Sequence, residues 1–461
     1  MSEALLDALR QAVGELAVST DAAMLEQRRT DRSGADLGHP LALVRPASTA
    51  AVSAVLRIAN EAGVAVIPQG ALTGLAGGAS ATPGSILLDL TGMNRILSID
   101  PVERQAVVQP GVIVADLAAA AAEQGLFYAP DPVSAAWATV GGTIATNAGG
   151  MRCIKYGVTR DAVRALEVVL ADGTVIRTST GTIKNVAGLD LTALMVGSEG
   201  TLGVVTEATL ELLPAPGEQR GVSALFPSIE AAFAAANRVA VLRPLPATLE
   251  LLDSVALDAI RRYDPNLDLD ADAQAWLIAV TDSVSGAEDE LAAFEAAFRA
   301  EGAIAVTRAT DADELDRLLA TRRALHPGLA ALHGASLNGD LAIPRGALGT
   351  FRGIVAATAE QFGIPISLGG HVGDGNLHPV IAYDPNDEAA KDRAWAALHA
   401  LLREAQALGG TVTGEHGIGV EKLSDVAAEL SPRVQQLQYG IKQLFDPKGI
   451  LNPGKKYPLP A

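Results

Sequence analysis

The 461-residue chain lacks much of what several protein classes require. It contains one cysteine, Cys153, which excludes an internal disulfide framework. Its formal net charge is −18, which argues against nucleic acid as a partner because nucleic-acid binders present a basic face. Charged residues interrupt every apolar run before the roughly 20 residues that a membrane helix needs. The first residues also lack a secretory pattern. We therefore expect a soluble, cytoplasmic protein, with peripheral membrane association left open.

The length predicts two or three domains. Residues 1–217 mix helices with strands, and Ser48 or Thr49 is expected to cap one helix that Gly63 ends. Residues 218–410 alternate strand-like and helical stretches, which predicts an α+β domain whose antiparallel sheet is covered by helices. Residues 411–461 read as a separate C-terminal segment. An amphipathic helix is predicted at the start of the chain, with an apolar face made of Leu5, Leu6, Leu9, Val13 and Leu16.

Three glycine-rich segments lie in the first predicted domain, at residues 68–80, 131–153 and 197–205. Glycine lets the backbone approach a ligand closely, and successive backbone amides form an anion-binding concavity. The small residues around 141–150 form a smooth wall that suits a flat ring. A single segment of this kind is as consistent with an ordinary turn as with a binding loop. Three together favour a large ligand that has phosphates and a flat ring. Neither the G-x-G-x-x-G nor the P-loop pattern is present.

The stretch GGHVGDGNLHPVI, residues 369–381, carries His371 and His378 on either side of a glycine-rich bend. The bend can bring both imidazoles to one side of a loop or hairpin. Glu415 and His416, flanked by glycines, add a carboxylate and a further imidazole. This set of side chains suits Zn²⁺, with Mn²⁺ or Fe²⁺ as alternatives. A polar loop of hydrogen-bonded histidines remains the alternative interpretation.

Seven motifs in this order resemble the FAD-linked D-2-hydroxyacid dehydrogenases, which include D-lactate dehydrogenase, the glycolate oxidase large subunit and D-2-hydroxyglutarate dehydrogenase. The motifs are PQGALTGLAGG, TVGGTIATNAGG, KYGVTRDAVRALEVVLADGTV, GSEGTLGVVTEATL, GGHVGDGNLHP, GEHGIG and LNPGK. The resemblance spans roughly residues 40 to 456.

The resemblance implies a two-part FAD-binding domain of the vanillyl-alcohol-oxidase type and an α+β substrate (cap) domain. FAD would bind mainly through the first glycine loop, with its ring along 141–150, its adenine side near 197–205, and Asn452 returning to the flavin. The residues assigned to FAD in this way are Pro68, Gly70, Ala71, Leu72, Thr73, Gly74, Gly77, Gly78, Asp131, Gly141, Gly142, Thr143, Asn147, Gly149, Glu199, Gly200, Gly203, Val204 and Asn452.

The resemblance also implies the chemistry. It assigns His371, His378 and Glu415 as ligands of a divalent metal, Zn²⁺ first among the candidates, with His416 as the base. Arg322 matches a helix arginine that meets the substrate carboxylate. The implied reaction oxidises a D-2-hydroxyacid to the 2-oxo acid, with hydride transfer to flavin N5 and the metal as Lewis acid and template.

Several positions depart from the family pattern. Leu72 stands where glycine or asparagine is usual, and a leucine with positive φ is strained. Asn338 replaces a lysine and His326 a threonine of the hydroxyglutarate branch, so the cation for a second carboxylate is missing. A D-lactate-like substrate is therefore expected, with D-2-hydroxyglutarate dehydrogenase and glycolate oxidase subunit as alternatives. No attachment histidine lies near the first loop, which predicts noncovalent FAD.

Two other classes of protein remain open. A metal-dependent hydrolase would use the histidines and Glu415, but it leaves the glycine segments unexplained. A flavin-binding protein or subunit without turnover would leave the metal and base residues unexplained. The expected partners are a small 2-hydroxyacid, an electron acceptor (a quinone, an electron-transfer protein or a partner subunit) and a second copy of the chain in a homodimer.

Overall fold

The computed structural model of the chain describes residues 2–267 and 269–458. The chain forms two compact units, each assembled from separate segments. The first unit comprises Met1–Gly150, Gly157–Ala215 and Glu415–Ala461, and the second comprises Met151–Tyr156 and Pro216–Gly414.

The helices of the described residues occur in both units. In chain order they are α1 (Ser2–Val13), α2 (Ala22–Gln27), α3 (Thr49–Ala62), α4 (Val114–Ala122), α5 (Val140–Thr146), α6 (Cys153–Tyr156), α7 (Thr159–Ala162), α8 (Leu191–Met195), α9 (Ile229–Val239), α10 (Ser254–Tyr263), α11 (Ala287–Ala300), α12 (Ala312–Arg323), α13 (Leu325–His333), α14 (Leu348–Phe362), α15 (Glu388–Ala407), α16 (Leu423–Glu429) and α17 (Pro432–Phe445), with 3₁₀ turns at Glu15–Ala17 and Arg345–Ala347.

The strands form four sheets. In chain order they are β1 (Val18–Ser19), β2 (Ala42–Val44), β3 (Val66–Gln69), β4 (Ile86–Asp89), β5 (Ile96–Asp100), β6 (Gln105–Val108), β7 (Leu126–Phe127), β8 (Val163–Val169), β9 (Val175–Arg177), β10 (Val204–Glu211), β11 (Leu213–Pro214), β12 (Arg220–Phe226), β13 (Thr248–Asp253), β14 (Ala275–Thr281), β15 (Ala305–Ala309), β16 (Ala335–Asn338), β17 (Leu341–Ala342), β18 (Ile366–His371) and β19 (Asn376–Tyr383).

The first unit contains two main sheets, as the two-part domain predicts. One has four strands in the order β1-β2-β4-β3, in which β4 pairs in parallel with β2 and β3. The other has five antiparallel strands in the order β5-β6-β10-β8-β9, and β7 pairs with β11. Strands β8 and β9 form an antiparallel hairpin around ADG, residues 171–173. Each main sheet has its own apolar core.

Helix α3 shows how the sequence sets these elements. The Ser48 hydroxyl accepts a hydrogen bond from the Ala51 amide at 3.2 Å, and Gly63 ends the helix with φ 66°. Its apolar positions are buried, as predicted, and β3 follows three residues later. The prediction for the first helix was partly wrong. Leu5, Leu6 and Leu9 are buried, but α1 ends at Val13, so Leu16 falls in a 3₁₀ turn where it is fully exposed.

The second unit is built on an eight-stranded sheet in the order β15-β12-β14-β13-β18-β19-β16, with β17 also on β19, and every pairing is antiparallel. Helices α10, α12 and α13 bury apolar side chains against it, which confirms the predicted architecture. The stretch LNGDLAIP, residues 337–344, contributes to two short strands, β16 and β17, rather than to one continuous strand. Between them, the Gly339 amide bonds to the Pro379 carbonyl. No helix among the described residues is long and apolar enough to cross a membrane.

Candidate active site

The first glycine loop follows β3, which ends at Gln69, and its backbone donors are unused. Asp31 accepts a hydrogen bond from the Ala79 amide at 3.3 Å, and the Gln69 side chain donates to the Ala79 carbonyl at 2.8 Å, so the end of the loop is fixed. Within the described residues, no backbone N–H from Gly70 to Gly78 donates a hydrogen bond. Unpaired amides in consecutive residues form the kind of concavity that binds phosphate. The loop therefore fits the pyrophosphate of a dinucleotide.

Leu72 in this loop has a φ of 61°, in the left-handed region. Glycine adopts that region at no steric cost, whereas a Cβ there costs roughly 1–2 kcal/mol. The strain expected from the sequence is therefore present, and the loop keeps the path that glycine or asparagine would take.

The second glycine segment forms α5 and the turn after it. The Thr139 hydroxyl accepts a hydrogen bond from the Gly142 amide, and Asn147 ends the helix with φ 55°. A Cβ at Gly70 would lie 2.3 Å from Thr139 Oγ1, so the first segment requires glycine at the point where it touches the second. The Asn147 side chain is already used, because its oxygen accepts from the Arg160 amide at 2.8 Å.

The remaining predicted FAD residues lie around these two segments. A Cβ at Gly150, next to Gly149, would lie 2.4 Å from the Asp131 carbonyl oxygen. Gly200 packs on Pro68, Gly203 packs on Val168, and Thr143 donates its hydroxyl to the Val140 carbonyl. Val204 is only 1% exposed and packs in the apolar core of the first unit.

Asn452 brings the C-terminal segment back to the loop. Its Nδ2 donates to the carbonyls of Gly78 at 2.9 Å and Glu199 at 2.7 Å. Its Oδ1 is buried and has no hydrogen-bond partner among the described residues. Buried polar atoms are almost always satisfied, so this acceptor indicates a missing ligand. Together with the unused loop amides, it shows that the first unit fits FAD.

In the second unit, His371 and His378 lie on the two strands of one hairpin, β18 and β19. Gly370 and Gly375 adopt positive φ values of 133° and 84°. The imidazole centroids are 5.1 Å apart at an interplanar angle of 88°. Both side chains are buried. The bend thus brings the two rings together in an environment shielded from water.

Each imidazole is oriented through its Nδ1 atom. His378 Nδ1 lies 3.1 Å from the Gly339 carbonyl, which can only accept, so Nδ1 carries the proton. His371 Nδ1 lies 2.5 Å from Glu250 Oε1 and donates to that carboxylate. With the proton on Nδ1, the Nε2 atom carries the lone pair that can bind a metal. Carbonyl and carboxylate partners of this kind are typical of metal-binding histidines.

No sequence pattern was strong enough to single out Glu250. It lies in β13, is fully buried, and also accepts from Arg322 Nε at 2.8 Å. Burial opposes its ionisation, but the positive charge and hydrogen bonds of His371 and Arg322 outweigh this, so the pKa of Glu250 lies below its ordinary value. An acidic residue within the apolar run TLELLD was the available clue.

Arg322 lies in the last turn of α12 with its side chain 13% exposed. Its Nε is held by Glu250, and within the described part of the chain its terminal N–H groups donate to no protein acceptor. The neighbouring Arg323 is exposed and pairs with Asp316 at 2.9 Å.

Glu415 follows Gly414 in the chain. The backbone of Gly414 is held by a second acidic residue that no sequence pattern singled out. The Gly414 amide donates to both carboxylate oxygens of the fully buried Asp340, each at 3.0 Å. The ligand atoms offered by His371, His378 and Glu415 all lie within 4.8 Å of one another, which makes the three a group that could hold a metal ion. His416 Nε2 lies 3.8 Å from Glu415 Oε1.

Comparison with known proteins places the chain in a family. Residues 40–179 match the family described as "FAD binding domain", and residues 215–456 match "FAD linked oxidases, C-terminal domain". The chain is 39% identical to glycolate oxidase subunit GlcD of Bacillus subtilis, over 91% of this chain and 89% of the relative. It is also 39% identical to D-lactate dehydrogenase of Archaeoglobus fulgidus, over 90% of each chain. It is 34% identical to D-2-hydroxyglutarate dehydrogenase of Xanthomonas citri pv. viticola, over 99% and 98%.

Solved structures show the same fold at lower sequence identity. p-Cresol methylhydroxylase aligns with a TM-score of 0.80 and 20% identity, covering 98% of this chain and 96% of that one. 4-Ethylphenol oxidase from Gulosibacter chungangensis aligns with a TM-score of 0.78 and 19% identity, covering 99% and 97%. The fold is therefore of the vanillyl-alcohol-oxidase type.

The chain belongs to the FAD-linked oxidase family. It is an FAD-linked oxidoreductase of the group that contains the D-lactate, glycolate and D-2-hydroxyglutarate enzymes.

Proposed function

We propose that this enzyme oxidises a monocarboxylic D-2-hydroxyacid of the D-lactate kind to the 2-oxo acid, with noncovalent FAD and a divalent cation held by His371, His378 and Glu415. The observation that carries the proposal is the orientation of the two imidazoles. Each Nδ1 is fixed by an acceptor, Glu250 or Gly339, which presents both Nε2 atoms as ligands.

The donor set favours Zn²⁺, since two imidazoles and one carboxylate are a common set for a catalytic zinc with an open position. Mn²⁺ and Fe²⁺ accept the same ligands. When bound, the cation would supply Lewis acidity toward the substrate oxygens, and FAD would supply a two-electron acceptor for the α-hydrogen as hydride.

The protein groups bind the acid and take its hydroxyl proton. The terminal N–H groups of Arg322 can donate to both oxygens of a carboxylate as a bidentate pair, and Glu250 holds the guanidinium in place. His416 takes the proton of the α-hydroxyl, since imidazole is the side chain best matched to proton transfer near neutral pH. Proton and hydride together balance the oxidation of the hydroxyl carbon to a ketone.

The choice of a monocarboxylic acid rests on Asn338 and His326. Asn338 ends β16 and is followed by Gly339, whose carbonyl orients His378. The side-chain amide of Asn338 carries no charge that could pair with a second carboxylate, and His326 stands where the hydroxyglutarate branch has a threonine. Glycolate also has one carboxylate, and the 39% identity to a glycolate oxidase subunit makes it the second candidate.

Anaerobic reduction of the bound flavin tests this substrate class. D-lactate, L-lactate, glycolate and D-2-hydroxyglutarate are mixed separately with the purified holoenzyme, and flavin absorbance is followed by stopped flow. We expect D-lactate to bleach the flavin with the highest second-order rate constant and L-lactate to be slow. A higher rate constant for D-2-hydroxyglutarate would refute the monocarboxylic assignment, and a higher one for glycolate would transfer the assignment to glycolate. Bleaching by none of the four would refute the substrate class.

A further inference from the structure

Glu199 combines two features that are rare together in a buried acidic residue. It is 6% exposed, and its backbone has a φ of 54°, in the left-handed region. Strain of this kind persists only where the surroundings over-determine it, and it concentrates at functional sites. The contacts of Glu199 therefore bear on function.

The Glu199 carboxylate is bound to the chain just after His416. Oε1 accepts from the Ile418 amide and Oε2 from the Gly419 amide, both at 2.8 Å. At Gly417, which has a φ of 84°, a Cβ would lie 3.0 Å from Oε1. The turn that follows the proposed base is therefore built around this carboxylate.

The same turn packs against the first glycine loop. The Val420 amide donates to the Ala76 carbonyl at 2.9 Å, and a Cβ at Gly419 would lie 1.8 Å from that oxygen. Asn452 bonds to the carbonyls of both Glu199 and Gly78. Glu199 thus joins the loop that fits the FAD phosphates to the segment that carries His416.

We propose that Glu199 is a positioning residue: its carboxylate fixes the backbone at Ile418 and Gly419 and thereby holds His416 in its proton-accepting place. Its side chain acts on the turn rather than on FAD. The inference rests on the proposed role of His416 as the base. A glutamine at this position has one acceptor oxygen, so it cannot hold two amides, and its NH₂ group would face a second donor.

Hydrogen exchange and kinetics of Glu199→Gln test the proposal on the holoenzyme. We expect amide exchange to increase in a peptide covering residues 415–422 and to stay unchanged in β8. We expect kcat to fall by about 10- to 100-fold, the usual effect of a small displacement of a reacting group, with KM and FAD content little changed. Glu199→Asp keeps the charge and both acceptor oxygens, so its increase in exchange and its fall in kcat should both be smaller than those of Glu199→Gln. Glu167→Gln is the matched control, because Glu167 is also a mostly buried carboxylate of the first unit but accepts from Thr49, Thr206 and Arg177.

A double-mutant cycle separates positioning from general damage. If Glu199 acts through His416, Glu199→Gln should cause little further loss in the His416→Ala background. Fully additive losses, wild-type exchange at 415–422, or a loss of FAD that accounts for the lost activity would each overturn the proposal. A wild-type rate for His416→Ala would instead refute the base assignment in the proposed function, while the exchange experiment would still report on the turn.

Discussion

Replacing Glu250 by glutamine should weaken metal binding without removing the flavin. The two carboxylate oxygens of Glu250 accept from His371 Nδ1 and Arg322 Nε, and glutamine offers only one oxygen to these two donors. One buried donor then loses its acceptor, which costs roughly 1–3 kcal/mol. Loss of the partner that orients a metal-binding histidine typically lowers metal affinity by about 10- to 100-fold. We therefore expect the Kd for Zn²⁺ to rise by about 10- to 100-fold, with the FAD content of the protein unchanged.

Competition with a chromophoric chelator measures this Kd. Glu288→Gln is a suitable control because Glu288 lies in the same unit with its side chain 60% exposed, and its ion-pair partners among the described residues are the surface arginines Arg220 and Arg308. The control should bind metal like the wild type. Wild-type metal affinity in Glu250→Gln would refute the argument that Glu250 orients a metal ligand. An equal loss in both variants would mean that the effect is general.

Three further predictions follow from the first unit. Acid precipitation should release all FAD into the supernatant, and flavin colour in the pellet would contradict noncovalent binding. Leu72→Gly should keep or raise the unfolding temperature because it removes left-handed strain, whereas Leu72→Val should lower it; the reverse order by calorimetry would show that φ at this position is not positive. Burial and the nearby Asp31 raise the pKa of Glu421 to about 7. Folding therefore favours its neutral form, and the wild type loses stability as pH rises from about 4.5 to 7. Glu421→Gln should raise the unfolding temperature at pH 8 and have little effect near pH 5, and equal effects at both would contradict the shift.

Elements fixed by local chemistry were predictable from the sequence. The cap at Ser48, the stop at Gly63 and the apolar face of α3 lie within one helix, so a short window of sequence contains all the information. The hairpin that brings His371 close to His378 is likewise local, because its bend lies between the two histidines. The glycine clusters indicated a large ligand because close approach requires small residues in consecutive positions.

The partners that orient the site were not predictable in this way. Glu250 is 121 residues from His371, and Glu199 is 219 and 220 residues from the amides of Ile418 and Gly419. Such contacts depend on the packing of distant strands and turns, which a local pattern does not record. Leu16 shows that a local pattern can also predict too much. It continues the helical spacing of apolar residues, but it lies beyond the end of α1 and is exposed.

The central claim is that a divalent cation on His371, His378 and Glu415 is required for oxidation of the substrate. The most direct measurement is the rate of anaerobic flavin bleaching by D-lactate in three samples of one preparation: as purified, after removal of metal by a strong chelator, and after reconstitution with Zn²⁺ or Mn²⁺. We predict that FAD stays bound throughout, that bleaching stops in the metal-free sample, and that one of the two cations restores it. Undiminished bleaching in protein shown by elemental analysis to contain no stoichiometric transition metal would contradict the claim.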